Sequence, residues 1–186
     1  NGKIAKIVPD LYIAWHAGKS SWKNYKSLNQ NSIGIEITNP GHKHGYKKFT
    51  QKQITSLLRL SKFLIKKYKV SPKNILGHSD IAVLRKKDPG EKFPWEYLSK
   101  NKIGIWHTLN KQDLIKNRKL KISKIEESIF FRSLFKIGYS KKYTKDISKD
   151  KYLIELAKTF QRRFRQELVN GKIDQECLLI SKSLIK

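Results

Sequence analysis

The segment from Thr50 to Lys69 constrains the fold of this chain most strongly. Its apolar residues recur with the spacing of an amphipathic helix that buries one face. Thr50 and Gln53 have the capping-box pattern that begins a helix, and Ser71-Pro72 ends it. Since such a helix is stable only when its apolar stripe is covered, the neighbouring segments must supply the surface against which it packs.

Four short extended segments surround this predicted helix. In one of them, Ile33 to Ile37, apolar residues alternate, so the three isoleucines share one face and Glu36 points to the other. Strands that alternate with a helix predict an α/β domain with a mixed β-sheet flanked by helices. The segments predicted as strands are 3–8, 11–15, 33–37 and 74–77.

The first two residues, Asn1-Gly2, are typical of the two-residue turn of a β-hairpin. The segment after this turn is one of the predicted strands, but no strand precedes the turn in the sequence. We therefore expect a further strand upstream of Asn1.

The second half of the chain has the pattern of a small helical domain. Its predicted helices are 123–136, 150–164 and 175–185. The whole chain is then divided into a first domain over 1–107, a linker over 108–122 and an all-α three-helix domain over 123–186. The apolar residues expected to fill the core of the helical domain are Phe130, Phe131, Leu134, Leu153, Leu156, Phe160, Phe164, Leu178 and Leu179.

Composition limits the class of protein without selecting one. The chain has 41 basic and 15 acidic residues, for a formal net charge of +26. Such a surface attracts polyanions, whether nucleic acid, anionic lipid or a carboxylate-bearing wall polymer, but a general bias toward lysine accounts for it equally well. The single cysteine, Cys177, excludes an intrachain disulfide and a four-cysteine zinc module. No apolar run reaches the ~18 residues of a membrane span.

The loop from His78 to Asp88 carries the residues best suited to a metal. His78 follows a predicted strand, Asp88 lies ten positions later before a Pro-Gly turn, and Lys86 precedes Asp88 by two. Zinc binds imidazole nitrogen and carboxylate oxygen, and a catalytic site needs three protein ligands and one open position. A histidine and an aspartate in one loop are more often a hydrogen-bonded pair, so these residues alone do not establish a metal site.

The stretch from Gly77 to Gly90 resembles the zinc-binding loop of the N-acetylmuramoyl-L-alanine amidases of the AmpD and AmiD type, which share a fold with peptidoglycan recognition proteins. Other stretches resemble the same family in the same order, and together the motifs extend over about residues 1–107. These stretches are Ala14-Trp15-His16-Ala17-Gly18 with Ser20, Leu28-Asn29 with Ser32-Ile33-Gly34-Ile35-Glu36, Phe93-Pro94-Trp95 and Gly104-Ile105-Trp106.

This resemblance implies a role for each of several side chains. His78 and Asp88 would be ligands of Zn2+, and a third ligand, a histidine, is expected upstream of Asn1. Glu36 would be the general base and Lys86 the group that stabilises the oxyanion. Judged on residues alone, Glu36 reads as a surface carboxylate and Lys86 as one lysine among many. The substrate cleft would be lined by Trp15, His16 and Asn29.

A second resemblance lies in the C-terminal part. Residues 157–165 and 171–176 are similar to the core of a three-helix peptidoglycan-binding domain, although an ordinary amphipathic helix followed by a turn has the same pattern. This resemblance implies that the helical domain tethers the protein to peptidoglycan and takes no part in the chemistry. It favours the bacterial envelope, in the periplasm or attached to the outer membrane, with the cytoplasm as the alternative.

Together, the resemblances predict a zinc-dependent hydrolase that cuts the amide between N-acetylmuramic acid and L-alanine in peptidoglycan or muropeptides. One alternative is a non-catalytic peptidoglycan-recognition module, which keeps the fold and binds wall fragments without cutting them. Another is a nucleic-acid-binding protein, which would explain the charge but none of the ordered motifs. We therefore expect no nucleic acid as a specific partner.

Overall fold

A computed structural model describes residues 2–142 and 146–185 of the chain. In these ranges the protein is mostly helical, with one small antiparallel sheet. No described helix is both long and apolar enough to cross a membrane. The elements are β1 Ser21–Trp22, β2 Tyr25–Lys26, α1 Gln51–Tyr68, α2 His78–Ile81, α3 Trp95–Lys100, α4 Lys111–Asn117, α5 Lys124–Ile137, α6 Lys149–Phe164 and α7 Gln175–Ser183, with a 3-10 turn at Pro72–Asn74.

Helix α1 confirms the prediction made from its periodicity and its cap. The Thr50 hydroxyl accepts a hydrogen bond from the Gln53 amide, and the Gln53 side chain accepts one from the Thr50 amide. The helix ends at Lys69, which takes up the left-handed conformation with φ of 52°. Ile54 and Leu57 are buried, as the predicted apolar face requires.

The predicted mixed sheet is absent from the described residues. Their only sheet is the two-stranded β1–β2 ribbon, in which Ser21 lies opposite Lys26 and Trp22 opposite Tyr25. The four segments predicted as strands are irregular in structure, and many of their apolar side chains, such as Leu11 and Ile33, are exposed. Alternating sequence suits a strand, but a strand forms only where a second backbone pairs with it. The α/β class itself stays a prediction.

The three C-terminal helices α5, α6 and α7 begin and end within about two residues of their predicted bounds. Most of the residues predicted for their core are buried, but Leu179 was wrongly included because it is 37% exposed. Helix α7 turns Cys177, Leu178 and Ser181 toward the core. Leu179 follows Leu178 by about 100° around the helix and therefore faces outward.

The predicted linker contains helix α4. Asn110 caps it by accepting hydrogen bonds from the amides of Gln112 and Asp113, and Leu114 is buried. Such a short helix offers few apolar positions, so its sequence has no recognisable period. It is held by packing, since α4 lies against α7.

The two predicted domains share one hydrophobic core. Buried residues from the first domain, Ala17, Trp22, Leu28 and Val83, belong to the same cluster as Phe130, Leu134, Leu156 and Phe160 of the C-terminal helices. The ring of Trp22 packs edge-on against Tyr139 with centroids 5.1 Å apart. The Lys23 amide donates a hydrogen bond of 2.7 Å to the Gly138 carbonyl. The C-terminal helices are therefore a structural part of the body that carries the His78 loop.

Candidate metal centre

His78 and Asp88 are brought together as predicted. His78 is the first residue of α2, and the Ser79 amide donates to the Asp88 carbonyl at 2.9 Å, which closes the loop between them. His78 Nδ1 lies 3.0 Å from Asp88 Oδ2. The His78 side chain is 15% exposed and that of Asp88 is 57% exposed, so the pair is shielded on one side and reachable from the other.

The contact made by Nε2 of His78 determines whether Nδ1 of a neutral ring carries a hydrogen or a lone pair. His78 Nε2 lies 3.2 Å from the carbonyl oxygen of Ala17, which can only accept a hydrogen bond, so Nε2 carries the hydrogen. In a neutral imidazole, Nδ1 then presents a lone pair to the Asp88 carboxylate. Two acceptors at 3.0 Å need a proton or a cation between them. A metal-binding histidine commonly has this arrangement, with its other ring nitrogen bonded to a carbonyl.

The electrostatics of Asp88 also suit a cation ligand. Partial burial raises the pKa of the Asp88 carboxyl. When a proton lies between the pair, this is outweighed by hydrogen bonds from His78 and from the Asp88 backbone and by the charges of His78 and Lys86. The pKa of Asp88 therefore lies below its usual range, and the carboxylate is ionised at neutral pH. An ionised carboxylate is the form that binds a metal.

These two residues fit zinc as part of a ligand set. They offer the nitrogen and oxygen donors that zinc accepts, on side chains whose donor atoms lie 3.0 Å apart. Within 2–142 and 146–185, no group of three or more His, Cys, Asp or Glu side chains could hold a metal. The pair thus supplies two donors, and a third ligand stays a prediction.

The Ala17 carbonyl that orients His78 is itself held on two sides. Arg85 Nη2 donates to it at 2.6 Å, and Asn29 Oδ1 accepts from the Ala17 amide at 2.7 Å and from the Gly18 amide at 3.3 Å. Asn29 therefore fastens the loop that carries the carbonyl, and its predicted contact with substrate stays a prediction. Sequence reasoning missed Arg85, although it lies inside the loop that resembles the family.

The other two residues predicted for the cleft differ in their surroundings. Trp15 is 90% exposed and offers a free indole face beside the loop of Ala17. His16 is tied into the fold, with Nδ1 2.8 Å from the Ala14 carbonyl and Nε2 2.9 Å from the Ser32 hydroxyl. The hydrogen bond between His16 and Ser32 joins two of the sequence motifs in space. Substrate contact by either residue stays a prediction.

Glu36 and Lys86 are less well defined by the structure. Glu36 is exposed in an irregular segment, and its side chain makes no hydrogen bond or ion pair with the described part of the chain. Lys86 is half-buried, and its charge helps to lower the pKa of Asp88. The structure therefore relates Lys86 to the pair electrostatically and gives Glu36 no contact with it.

A buried ionic cluster lies beneath α2 and was missed from the sequence. Asp80 accepts hydrogen bonds from the Gly77 amide at 2.8 Å and the Tyr139 hydroxyl at 2.7 Å, and it forms an ion pair with Arg163. Burial, and after it the Asp80 charge, raises the pKa of Tyr139 well above its usual range, so the phenol remains a donor. Asp80 lies two residues after His78 in the sequence, but no sequence pattern identifies Tyr139 and Arg163 as its partners.

Tyr46 holds the far end of the loop. Its hydroxyl donates to the Pro89 carbonyl at 2.6 Å and accepts from the Lys92 amide at 2.9 Å. Burial raises the pKa of Tyr46 to about 12, so it is a neutral phenol under ordinary conditions. Beside it, His42 pairs with Glu91 at 3.0 Å. These contacts secure the backbone that follows Asp88.

Comparison with known proteins places this fold and loop among amidases. Residues 1–91 match the family described as N-acetylmuramoyl-L-alanine amidase. Over all of its length the chain is 33% identical to the N-acetylmuramoyl-L-alanine amidase AmiD of Escherichia coli, of which it covers 69%. It is 40% identical to the 1,6-anhydro-N-acetylmuramyl-L-alanine amidase AmpD of Haemophilus influenzae, over 53% of either protein.

A solved structure agrees with the sequence comparison. The complex of E. coli AmiD with the substrate anhydro-N-acetylmuramic acid-L-Ala-D-gamma-Glu-L-Lys superimposes with a TM-score of 0.82 and 32% identity, covering 98% of this chain and 72% of that one. The chain belongs to the N-acetylmuramoyl-L-alanine amidase family.

Proposed function

We propose that this protein is a zinc-dependent amidase that hydrolyses the bond between the lactyl group of N-acetylmuramic acid and L-alanine in peptidoglycan or muropeptides. The observation that carries the proposal is the His78–Asp88 pair, in which Nδ1 and a carboxylate oxygen face each other at 3.0 Å while Nε2 is bound to a carbonyl. That geometry needs a proton or a cation between the two atoms, and zinc would supply the cation in a chain of this amidase family.

Each residue then has a definite task. His78 and Asp88 hold the zinc, and the Ala17 carbonyl keeps the imidazole in the ligating tautomer. Zinc, when bound, supplies a Lewis acid that polarises the scissile carbonyl and makes water more acidic. Glu36 takes the proton of the attacking water and passes it to the leaving amine. Lys86, beside the pair, stabilises negative charge on the carbonyl oxygen.

The substrate is expected to be a muropeptide. The AmiD complex contains an anhydro-muropeptide, and we propose a substrate of the same chemistry here. The exposed Trp15 indole would pack against the sugar or the stem, with His16 and Asn29 shaping the cleft around it. We also propose that the C-terminal helices contact the wall polymer and that the protein acts in the bacterial envelope.

The test uses His78→Ala, with His44→Ala as the matched control because His44 is exposed and outside the pair. The parent and both variants, each with the third zinc ligand that the resemblance implies, are loaded with zinc, assayed for metal content, and incubated with an anhydro-muropeptide whose products are identified by mass spectrometry. We expect the free stem peptide from the parent and from His44→Ala. His78→Ala should lose zinc and at least ~100-fold in turnover. Undiminished cleavage by His78→Ala would remove the pair from the mechanism.

One observation favours a second candidate, a recognition module that binds muropeptide without cutting it. The Glu36 side chain has no hydrogen bond or ion pair with the described residues, so nothing there orients it as a base. For this candidate, the parent binds the muropeptide by calorimetry and releases no stem peptide. The same incubation therefore separates the two functions.

A further inference from the structure

Helix α2, which begins with His78, is too short to be stable without contacts from the rest of the protein. It has four residues, His78–Ile81, whereas isolated helices need about 12 or more to be even marginally stable in water. The direction in which the His78 ring points must therefore be set by contacts from outside the helix. The most buried of these contacts involve Asp80.

The Asp80 carboxylate is hydrogen-bonded on both oxygens. Oδ2 accepts from the Gly77 amide at 2.8 Å and pairs with Arg163, and Oδ1 accepts from the Tyr139 hydroxyl at 2.7 Å. Asp80 and Arg163 side chains are only 1% and 4% exposed. A buried ion pair is costly to break because one uncompensated charge is left in the interior. The start of α2 is thus anchored by this cluster.

Arg163 contacts residues on both sides of His78 in the chain, the Asp80 side chain and the Ile75 backbone. One end of its guanidinium pairs with Asp80, two residues after the histidine, and Nη2 donates to the carbonyl of Ile75, three residues before it, at 3.0 Å. The guanidinium also lies 4.2 Å from the centre of the Trp95 ring. A planar fork that makes two directed bonds and stacks on an indole cannot be replaced by the single point charge of lysine.

Both side chains that donate to Asp80 come from the C-terminal part of the chain. Arg163 lies in α6, 83 residues from Asp80, and Tyr139 follows the end of α5 and packs on Trp22. We infer that Arg163 and Tyr139 are positioning residues for the proposed zinc ligand His78, acting through Asp80. This inference rests on the proposed function for its chemistry. It replaces the expectation that the C-terminal helices serve only as a tether.

The variants are chosen to preserve the fold. Arg163→Lys keeps the buried charge but loses the fork, and Tyr139→Phe keeps the ring that packs on Trp22 but removes one hydrogen bond. Arg132→Lys is the matched control, because Arg132 is an exposed arginine of α5. Each protein is first checked by circular dichroism and used at a temperature at which it is fully folded.

The first readout needs no metal. Hydrogen–deuterium exchange of the metal-free proteins should show faster uptake over residues 75–90 in Arg163→Lys and, to a smaller extent, in Tyr139→Phe. The remainder of the chain and the Arg132→Lys control should match the parent. Unchanged uptake over 75–90, or an equal rise along the whole chain, overturns the inference.

The second readout is zinc affinity, measured by competition with a chromogenic chelator. Loss of groups that orient metal ligands typically weakens metal binding by about 10- to 100-fold, and we expect a loss in that range for Arg163→Lys. Its combined effect with Asp80→Asn should be less than additive, since both changes break one cluster. Parental zinc affinity in a folded Arg163→Lys protein also overturns the inference. A parent that carries the third ligand implied by the resemblance and neither binds zinc nor cleaves muropeptide refutes the proposed function instead, while the exchange experiment still decides whether α2 is held from the C-terminal helices.

Discussion

Asn29 shows how a single side chain can act on the proposed centre without touching it. Its amide oxygen accepts from the backbone amides of Ala17 and Gly18, and the Ala17 carbonyl in turn accepts from His78 and Arg85. One short loop thereby fixes which nitrogen of His78 carries the hydrogen. Residues of this kind are expected to matter for metal binding through geometry.

Replacement of Asn29 by alanine tests this chain of contacts. We expect Asn29→Ala to lower the free energy of unfolding by about 1 kcal/mol, because two loop amides lose their acceptor. Zinc affinity should weaken as the Ala17 carbonyl shifts. Urea unfolding and chelator competition measure the two effects. The nearby Asn31→Ala serves as control, since the Asn31 side chain is exposed and makes no hydrogen bond within the described residues. Equal behaviour of the two variants would show that the Asn29 contacts are dispensable.

His107 provides a pH-dependent prediction. Its ring stacks on Trp106 with centroids 5.1 Å apart, and its buried Nδ1 has no hydrogen-bond partner among the described residues. Burial lowers the pKa of His107, against the smaller raising effects of Glu96 and Glu176. The unfolded chain therefore binds a proton at a higher pH than the folded protein does. The stability contributed by the neutral ring is complete above the unfolded pKa of about 6.5 and is lost as the pH falls toward the folded pKa.

We accordingly expect the parent to lose more unfolding free energy than His107→Phe between about pH 7.5 and about pH 5.5. Phenylalanine keeps the stacking on Trp106 and cannot be protonated. Urea titrations at both pH values measure the difference, and His44→Phe, at an exposed histidine, should retain the parental pH dependence. If His107→Phe has the parental slope, another group is responsible for the acid sensitivity.

At the scale of elements, α1 depends on its first turn and its buried face together. The capping box at Thr50 satisfies amides that the helix cannot pair internally, and Ile54 and Leu57 attach the helix to the rest of the molecule. The Gln53 side chain additionally donates to the Thr38 carbonyl at 2.7 Å, so the cap also secures the preceding irregular segment.

Removal of the Thr50 capping hydroxyl should therefore lower the stability of the protein measurably. We expect Thr50→Ala to destabilise the protein by about 1 kcal/mol, the usual value for removal of a capping hydroxyl. Thr55→Ala changes the same residue type at an exposed position within α1 and should be neutral or slightly stabilising, because alanine is the better helix former. Thermal unfolding followed by circular dichroism compares them. A Thr50→Ala protein as stable as Thr55→Ala would show that tertiary packing alone sustains this end of the helix.

At the scale of the whole molecule, the first 107 residues and the C-terminal helices pack against each other. They share a hydrophobic core, and the contacts between them include a buried ion pair and the hydrogen bond from Gln166 to the Phe93 carbonyl at 2.7 Å. Because their buried side chains belong to one cluster, we expect the two parts to unfold together.

We expect the full chain to unfold in a single transition, with calorimetric and van't Hoff enthalpies that agree. Removal of residues 123–186 should expose Trp22, Leu28 and Val83 and abolish cooperative unfolding of the remainder. Differential scanning calorimetry and limited proteolysis provide the measurements. Two separate transitions, or a protease-resistant fragment ending near residue 122, would instead support two independent domains joined by a linker.

What the sequence alone determined is local along the chain. The helices α1, α5, α6 and α7 were predictable because periodicity and capping act within a few residues, and the capping box of Thr50 was read correctly for that reason. His78 and Asp88 lie ten residues apart in one loop, and their side chains meet at 3.0 Å. Their role as ligands stays a proposal.

What only the tertiary structure decided is non-local. Alternation in segments such as 33–37 predicted strands, but pairing needs a second backbone, and none lies beside these segments in the described residues. Helix α4 and the outward turn of Leu179 depend on which neighbours pack against them. Arg163 reaches Asp80 across 83 residues, and no local pattern encodes that contact, because it exists only once the C-terminal helices have packed onto the loop of His78.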